Sequence, residues 1–392
     1  MSQVSTPFTA SAGRPVKERV ATLGVFLANG FGIGAWAVEV PRIKENLALG
    51  DTSLGLALFA FALGAIVAMP LAGQLAPRFG SGRSTALLGV IFVIMLPMPA
   101  YAPNLATLCA ALLVLGAANG ALDVSMNGHA STIETQWQAP IMSSFHAAWS
   151  VGGLLGAAAG AMLQRNGVGV AGGLFLPDAF IALLIVAVAL LALRGVASKT
   201  TLSSSGFVLP SGNVMKLAML AFLCMLVEGA VADWSAVYLR SVLHREASVA
   251  AVGYSAFAFS MAACRIVGDV SVRRFGSAQV VVLGGVIAAA GLALVLGWPT
   301  VSTACVGFAM VGVGLANIVP VIFSAAGRTT GTPAVGVSMA ATAGYAGFLI
   351  GPPLIGFGAG LFGLRIALYV LVTATLVVCV VGGRAVRSGQ AA

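Results

Sequence analysis

Apolar runs of about twenty residues recur along this chain, separated by short connections that hold nearly all of its charged positions. A run of about 20 predominantly apolar residues is long enough to cross the hydrocarbon of a bilayer as a helix. The pattern predicts twelve such spans. The first six lie near 20–40, 53–75, 84–102, 105–127, 141–163 and 175–193. The second six lie near 214–239, 249–271, 278–297, 301–325, 334–359 and 366–383. The runs are continuous rather than alternating, which points to helices and away from an outer-membrane barrel. The longest polar connection, 194–213, carries Lys199, Ser203, Ser204, Ser205 and Pro210 and divides the spans into two sets. The expected architecture is an all-α membrane protein: a six-helix bundle over 1–193, a linker over 194–213 and a second six-helix bundle over 214–392.

Composition agrees with a bilayer as the solvent. Only 8% of the 392 residues are charged and mean hydropathy is +1.03, whereas a soluble domain carries about 25% charged residues. The net charge of +9 comes from Arg and Lys placed between the apolar runs, where they set orientation rather than bind nucleic acid. With the two termini on one side, 13 basic residues fall on that side, 6 fall on the other, and Arg265 is left inside a span. That bias predicts cytoplasmic termini. The five cysteines, Cys109, Cys224, Cys264, Cys305 and Cys379, all sit in apolar runs with no CxxC pair, and read as packing residues. The first apolar run is long enough to remain in the membrane, so no cleaved signal is expected.

The two halves resemble each other. Leu54-Gly55 and Phe59-Ala60-Phe61, followed by Arg78-Phe79-Gly80-Ser81, return as Val252-Gly253 and Phe257-Ala258-Phe259, followed by Arg274-Phe275-Gly276-Ser277. Asn119, after Gly116, is matched by Asn317, after Gly314, and Gly152 to Gly156 by Gly347 to Gly351. Parallel repeats of this kind build transporters from two six-span halves. The repeat and the span count resemble the major facilitator superfamily, and Gly73 to Gly80 resembles its loop motif between spans 2 and 3, with Pro77 in place of the motif's Asp. The resemblance implies a gating position for Arg78.

Asp123 stands within an apolar run with no basic residue near it in sequence. A carboxylate in hydrocarbon costs at least a few kcal/mol, so an intramembrane acid reads as a functional site, most simply a proton relay. Asn119 and Asn127 lie at i−4 and i+4 and share its helix face. The alternative is a polar patch that glues two helices. Asp123 followed by Asn127 also resembles the fucose-permease branch of the superfamily, where a span-4 carboxylate serves proton-coupled sugar uptake. That resemblance implies the proton site for Asp123 and sugar-contacting places for His146 and Trp149.

His146 and Trp149, at i and i+3, offer an imidazole and a flat ring suited to a sugar or an aromatic acid, and His146 could relay a proton. On span 7, Glu228 is the better cavity residue, while Asp233 lies about 140° round the helix and reads as an outer gate or an interfacial anchor. Arg265 and Asp269, at i and i+4 near the end of span 8, read as an inner-gate ion pair. Asn29, Asn317 and Tyr345 complete the expected solute site. Glu39 is expected to form a solvated pair with Arg42, and Glu134 and Asp178 read as boundary residues without a role.

No phosphate-binding loop follows a strand, and neither a nucleophile elbow nor a metal-ligand cluster appears, so ATP-driven transport, catalysis and a resident cofactor are not expected. The expected function is alternating-access transport coupled to protons: Asp123, Glu228 and His146 handle the proton, Asn29, Asn119, Asn127, Trp149, Asn317 and Tyr345 line the solute site, and Arg265, Asp269, Arg78 and Asp233 gate it. The solute is a small polar molecule, a sugar or related compound, the partners are that solute and the bilayer but not nucleic acid, and the protein is a monomer. The alternative is a proton-driven exporter of drugs or amphipathic metabolites. A third class, a membrane sensor or scaffold, would need no such acid.

Overall fold

A computed structural model describes residues 15–49, 51–192, 212–245, 247–330 and 332–388. Nearly all of the expected linker lies outside these residues. Within them each of the twelve apolar runs is helical. The first half comprises α1 (Val16–Asn46), α2 (Asp51–Phe79), α3 (Ser81–Met95, followed by a 3-10 turn at Met98–Tyr101), α4 (Leu105–Trp137), α5 (Met142–Arg165) and α6 (Val170–Ala192). The second comprises α7 (Gly212–Ser241), α8 (Ala247–Ile266), α9 (Gly268–Phe275), α10 (Ser277–Gly297), α11 (Val301–Leu315), α12 (Ile318–Thr329), α13 (Pro333–Phe362), α14 (Leu364–Ala367) and α15 (Tyr369–Ser388). Ten helical stretches are long and apolar enough to cross a membrane, α8 and α9 together make an eleventh as a bent pair, and a shorter apolar helix, Val170–Ala182, falls where the sixth span was expected. The whole is an all-helical membrane protein.

Local chemistry explains where the helices begin. Asn104 and Thr107 form a reciprocal capping box at the start of α4, and Thr300 and Thr303 form the same box at the start of α11, one repeat later. Each supplies partners for backbone N–H groups that a helix start leaves unpaired. The repeated Arg-Phe-Gly-Ser turn has an equally local cause. Gly80 and Gly276 hold φ of +88° and +79° between consecutive helices, a region that side chains with a Cβ rarely adopt.

Glycine also sets how closely helices cross. A Cβ on Gly30 or Gly34 of α1 would land on the carbonyl oxygens of Trp149 and Gly153 in α5, and one on Gly152 or Gly156 of α5 would land on those of Leu27 and Phe31. The same backbone-to-backbone contact joins Gly64 and Gly116 across α2 and α4, and Gly347 to Phe222 across α13 and α7. Small residues permit this because lipid supplies no hydrophobic force between helices, leaving van der Waals packing to join them. Gly156→Leu is therefore expected to separate α1 from α5. The measurement is recovery of monodisperse protein in detergent, expected to fall well below that of Gly160→Ala, whose Cβ would meet nothing closer than 3.4 Å.

Two expected spans depart from a straight rod. The run 249–271 breaks after Ile266 and bends by 61° between α8 and α9. The run 301–325 breaks at Ala316 and Asn317, between α11 and α12. Broken backbone inside a membrane is tolerated only where other groups take up the freed polar atoms. Here the two breaks serve each other. Arg265 Nε donates to the carbonyl of Ala316 at 3.2 Å, and Asn317 Nδ2 donates to the carbonyl of Cys264 at 3.0 Å. The corresponding helices of the first half, α2 and α4, run unbroken.

The helices pack mainly within their own half: α1 on α5 and α6, α2 and α3 on α4, α7 on α8 and α13, and α10 on α11 and α15. Across the halves, α13 lies against α2 and α4, and α5 against α8.

Candidate functional site

Two polar clusters meet where the halves face each other. The first is a chain of amides and rings. Trp149 Nε1 donates to Asn29 Oδ1 at 2.8 Å, and Asn29 Nδ2 donates to Asn119 Oδ1 at 2.9 Å. Tyr345 of α13 stands beside Asn119, within electrostatic reach of Asp123 and Glu228. One turn along α4, Asn127 Nδ2 donates to Asp123 at its carbonyl (2.9 Å) and at Oδ1 (3.2 Å). The second oxygen, Asp123 Oδ2, is buried without a hydrogen-bond partner, and so is Asn127 Oδ1. No cation pairs with Asp123 among the described residues.

The second cluster centres on Arg265, only 6% exposed. It donates to Ser150 Oγ of α5 at 3.0 Å and faces Glu228 Oε1 of α7 at 3.5 Å. One guanidinium thus ties α7, α8, the break before α12 and the opposite half. His146 sits near it, edge-on to Phe26 of the first half and Phe323 of the second, with Nε2 unpartnered. Asn317 Oδ1 is likewise buried without a partner, close to Gly268 at the α8/α9 bend.

Several expectations are corrected. Arg265 does not pair with Asp269. The i, i+4 argument assumes one continuous helix, and the 61° bend sends the two side chains to different neighbourhoods. Arg265 turns to Glu228 and Ser150, whereas Asp269 Oδ1 accepts from the backbone N–H of Ser144 at 3.1 Å and its Oδ2 lies 4.0 Å from Arg19. Glu39 does pair with Arg42 at 3.1 Å, but it is fully buried rather than solvated, because Gln164 and α6 close over it. Arg78 is exposed at the end of α2, and Asp233 is exposed on α7.

Glu134, set aside as a boundary residue, is buried and holds four groups. Its Oε1 accepts from the backbone N–H of Ile141 at 2.9 Å and of Met142 at 3.0 Å, while its Oε2 accepts from the Ser324 hydroxyl and from Arg328 at 3.3 Å. With Asp269 it places a carboxylate from each half on the first turn of α5. A helix N-terminus favours negative charge, so this turn joins the halves at the end of the bundle where α1 starts and α15 finishes. A cavity of about 740 Å³ opens beside it, with Glu134, Asp269, Arg273 and Arg328 in its wall. Ser150, Ser144 and Glu134 carried little sequence signal. Ser150 follows Trp149 directly, and its spacing of four from His146 was the one available hint. Asp178, the other residue set aside, is buried in α6 with Oδ1 unpartnered.

Two pseudo-symmetric helical bundles, joined by ion pairs at one end and enclosing a buried, unpaired acid, define a secondary transporter rather than an enzyme. The family follows from the sequence. Residues 22–342 match the model of the Major Facilitator Superfamily. The chain is 36% identical over 373 residues to an uncharacterized MFS-type transporter of Yersinia pestis, covering 93% of this chain and 95% of that protein. It is 35% identical over 358 residues to the membrane protein MosC of Rhizobium meliloti, covering 90% and 87%. Among solved structures, the E. coli fucose:proton symporter FucP superposes with a TM-score of 0.72 at 16% identity, covering 94% of this chain and 98% of that one. The proton:xylose symporter XylE superposes with a TM-score of 0.75 at 12% identity, covering 94% and 95%. The chain belongs to the major facilitator superfamily, and it is a multi-pass secondary transporter of a small molecule.

Proposed function

We propose that this transporter couples inward movement of a small polar solute, a sugar or related compound, to protons. The observation that carries the reading is Asp123. Its Oδ2 has no partner while the cation nearest the centre, Arg265, is already taken by Glu228. A buried acid with no fixed counter-charge is the group whose charge a proton cancels at least cost. Tyr345 and the Trp149–Asn29–Asn119 chain present ring faces, hydroxyl and amide groups beside it, which suits a hydroxyl-rich solute. Two of the structural neighbours, named as proton symporters of fucose and xylose, support the same reading for this chain.

In this reading the halves 1–193 and 214–392 rock about the central site, joined by the linker 194–213. His146 and Glu228 assist the proton, and Asn127 and Asn317 help hold the solute. Arg265 acts at the centre rather than at a gate, while the pairs of Asp269 and Glu134 hold one end shut. In this reading that end, with both termini, faces the cytoplasm of a bacterial cell, as the basic bias supports, and the protein works as a monomer.

The test is uptake by proteoliposomes of a panel of labelled monosaccharides, with and without an inward proton gradient. Accumulation that follows the gradient and collapses with a protonophore is expected. Accumulation indifferent to the gradient rejects the reading, and gradient-driven efflux of amphipathic compounds replaces it with the exporter.

A further inference from the structure

Four buried polar atoms near the central acid have no partner, and three of them form a line. Asp123 Oδ2, Asn127 Oδ1 and Ser131 Oγ belong to α4, and Thr342 Oγ1 belongs to the facing helix α13. At 100° per residue, positions 123, 127, 131 and 134 fall within an arc of about 80°. At a rise of 1.5 Å per residue they descend about 16 Å along the helix. The line therefore runs from the central acid to Glu134, which is in the wall of the 740 Å³ cavity at the terminal end. Asn127 and Ser131 are fully buried or nearly so, at 0% and 1% exposure.

Small residues of the facing helices lie directly against this line. Ser131 meets Gly327 of α12, where a Cβ would collide with its hydroxyl, and Gly128 meets Ala334 of α13. Because α13 runs antiparallel to α4, Thr342 comes about level with Asp123. The remaining titratable or charged groups on the route are Tyr345 and Glu228 by the central acid, and Glu134, Asp269, Arg273 and Arg328 at the cavity. His129 belongs to another face of α4, with Nδ1 2.9 Å from Ser81 Oγ in its own half.

Buried polar groups that the protein leaves unpaired are usually satisfied by ordered water. We infer that the Asp123–Asn127–Ser131 face of α4 is a water-lined proton path between the central acid and the cavity beside Glu134. The inference rests on Asp123 being the proton site. It adds that the proton reaches or leaves that site from the terminal end while the ion pairs there hold the halves together, so solute and proton use different routes. Each transfer is balanced. A water donates its proton to Oδ2, forming the O–H of a neutral acid, and is reprotonated by the next water toward the cavity.

The experiment follows the carboxyl C=O band by infrared spectroscopy after a pH jump, on the full chain in lipid. The band is assigned by its loss in Asp123→Asn. Ser131→Val, which removes the hydroxyl, is expected to slow the change at least tenfold with the same end-point, and Ser131→Thr, which restores it, is expected to keep the wild-type rate. Thr342→Val serves as the second variant if Ser131→Val does not fold. An unchanged rate in the valine variant overturns the path and leaves the proton site intact. Absence of any band that Asp123→Asn removes overturns both.

Discussion

Asp123→Asn is expected to abolish gradient-driven accumulation while leaving solute exchange at equilibrium. The amide keeps the size and much of the hydrogen-bonding capacity of the acid, and Asn127 retains an oxygen to which it can donate. What disappears is the exchangeable proton. One pH unit is worth about 1.4 kcal/mol per proton, a tenfold accumulation for a one-proton symporter. The variant should therefore fall from about tenfold to the equilibrium level under a one-unit gradient, measured as internal over external solute. Counterflow of preloaded solute should persist, since it needs the halves to rock but no net proton movement. Undiminished accumulation would remove Asp123 from the coupling step.

Arg265→Gln is expected to have the largest effect on stability. It leaves Glu228 without its cation and deprives Ser150 and the Ala316 carbonyl of the donors that reach them. Removing one partner of a buried ion pair costs about 3–5 kcal/mol, because the other charge stays behind uncompensated. Adding Glu228→Gln to Arg265→Gln should recover much of that loss, since the stranded charge is then gone. Thermal melting in detergent across the four combinations checks this. If the double variant melts no higher than Arg265→Gln alone, the cost lies in the stitching of the two helix breaks rather than in the ion pair.

The sequence reading succeeded where one physical rule dominates. A bilayer requires each crossing segment to satisfy its own backbone, so long apolar runs translate directly into helices. The repeat was legible for a similar reason: its Gly80 and Gly276 turns need positive φ, and its Gly116 and Gly152 stand where backbones touch. Asn29, Asn119, Trp149 and Tyr345 were each conspicuous as polar or aromatic groups in apolar runs, and the fold draws them together.

The failures share a cause too. The breaks near Val267 and Asn317 were missed because each lies in a stretch that is still apolar enough, taken whole, to cross a membrane. Arg265 and Asp269 were paired on the assumption of unbroken helical spacing, and the bend invalidated it. Glu134 was dismissed because it sits where an apolar run ends. Its importance comes from Ile141, Met142, Ser324 and Arg328, which are remote from it or belong to another turn. Glu39 was assigned to solvent by its depth, but α6 covers it. In each case the missing information is a tertiary contact.

The stitched breaks have a consequence for how motion is shared between the halves. Glycine set directly against carbonyl oxygens locks helix pairs in both halves: α1 on α5 and α2 on α4 in the first, α7 on α13 and α8 on α11 in the second. The second half adds breaks inside its spans: α8 gives way to α9 through the 61° bend and α11 to α12 at Ala316 and Asn317, held by two hydrogen bonds from Arg265 and Asn317. Flexing is therefore expected to concentrate at these breaks, and labels that report bending should respond at 264–268 and 315–318 well before they respond anywhere in α2 or α4.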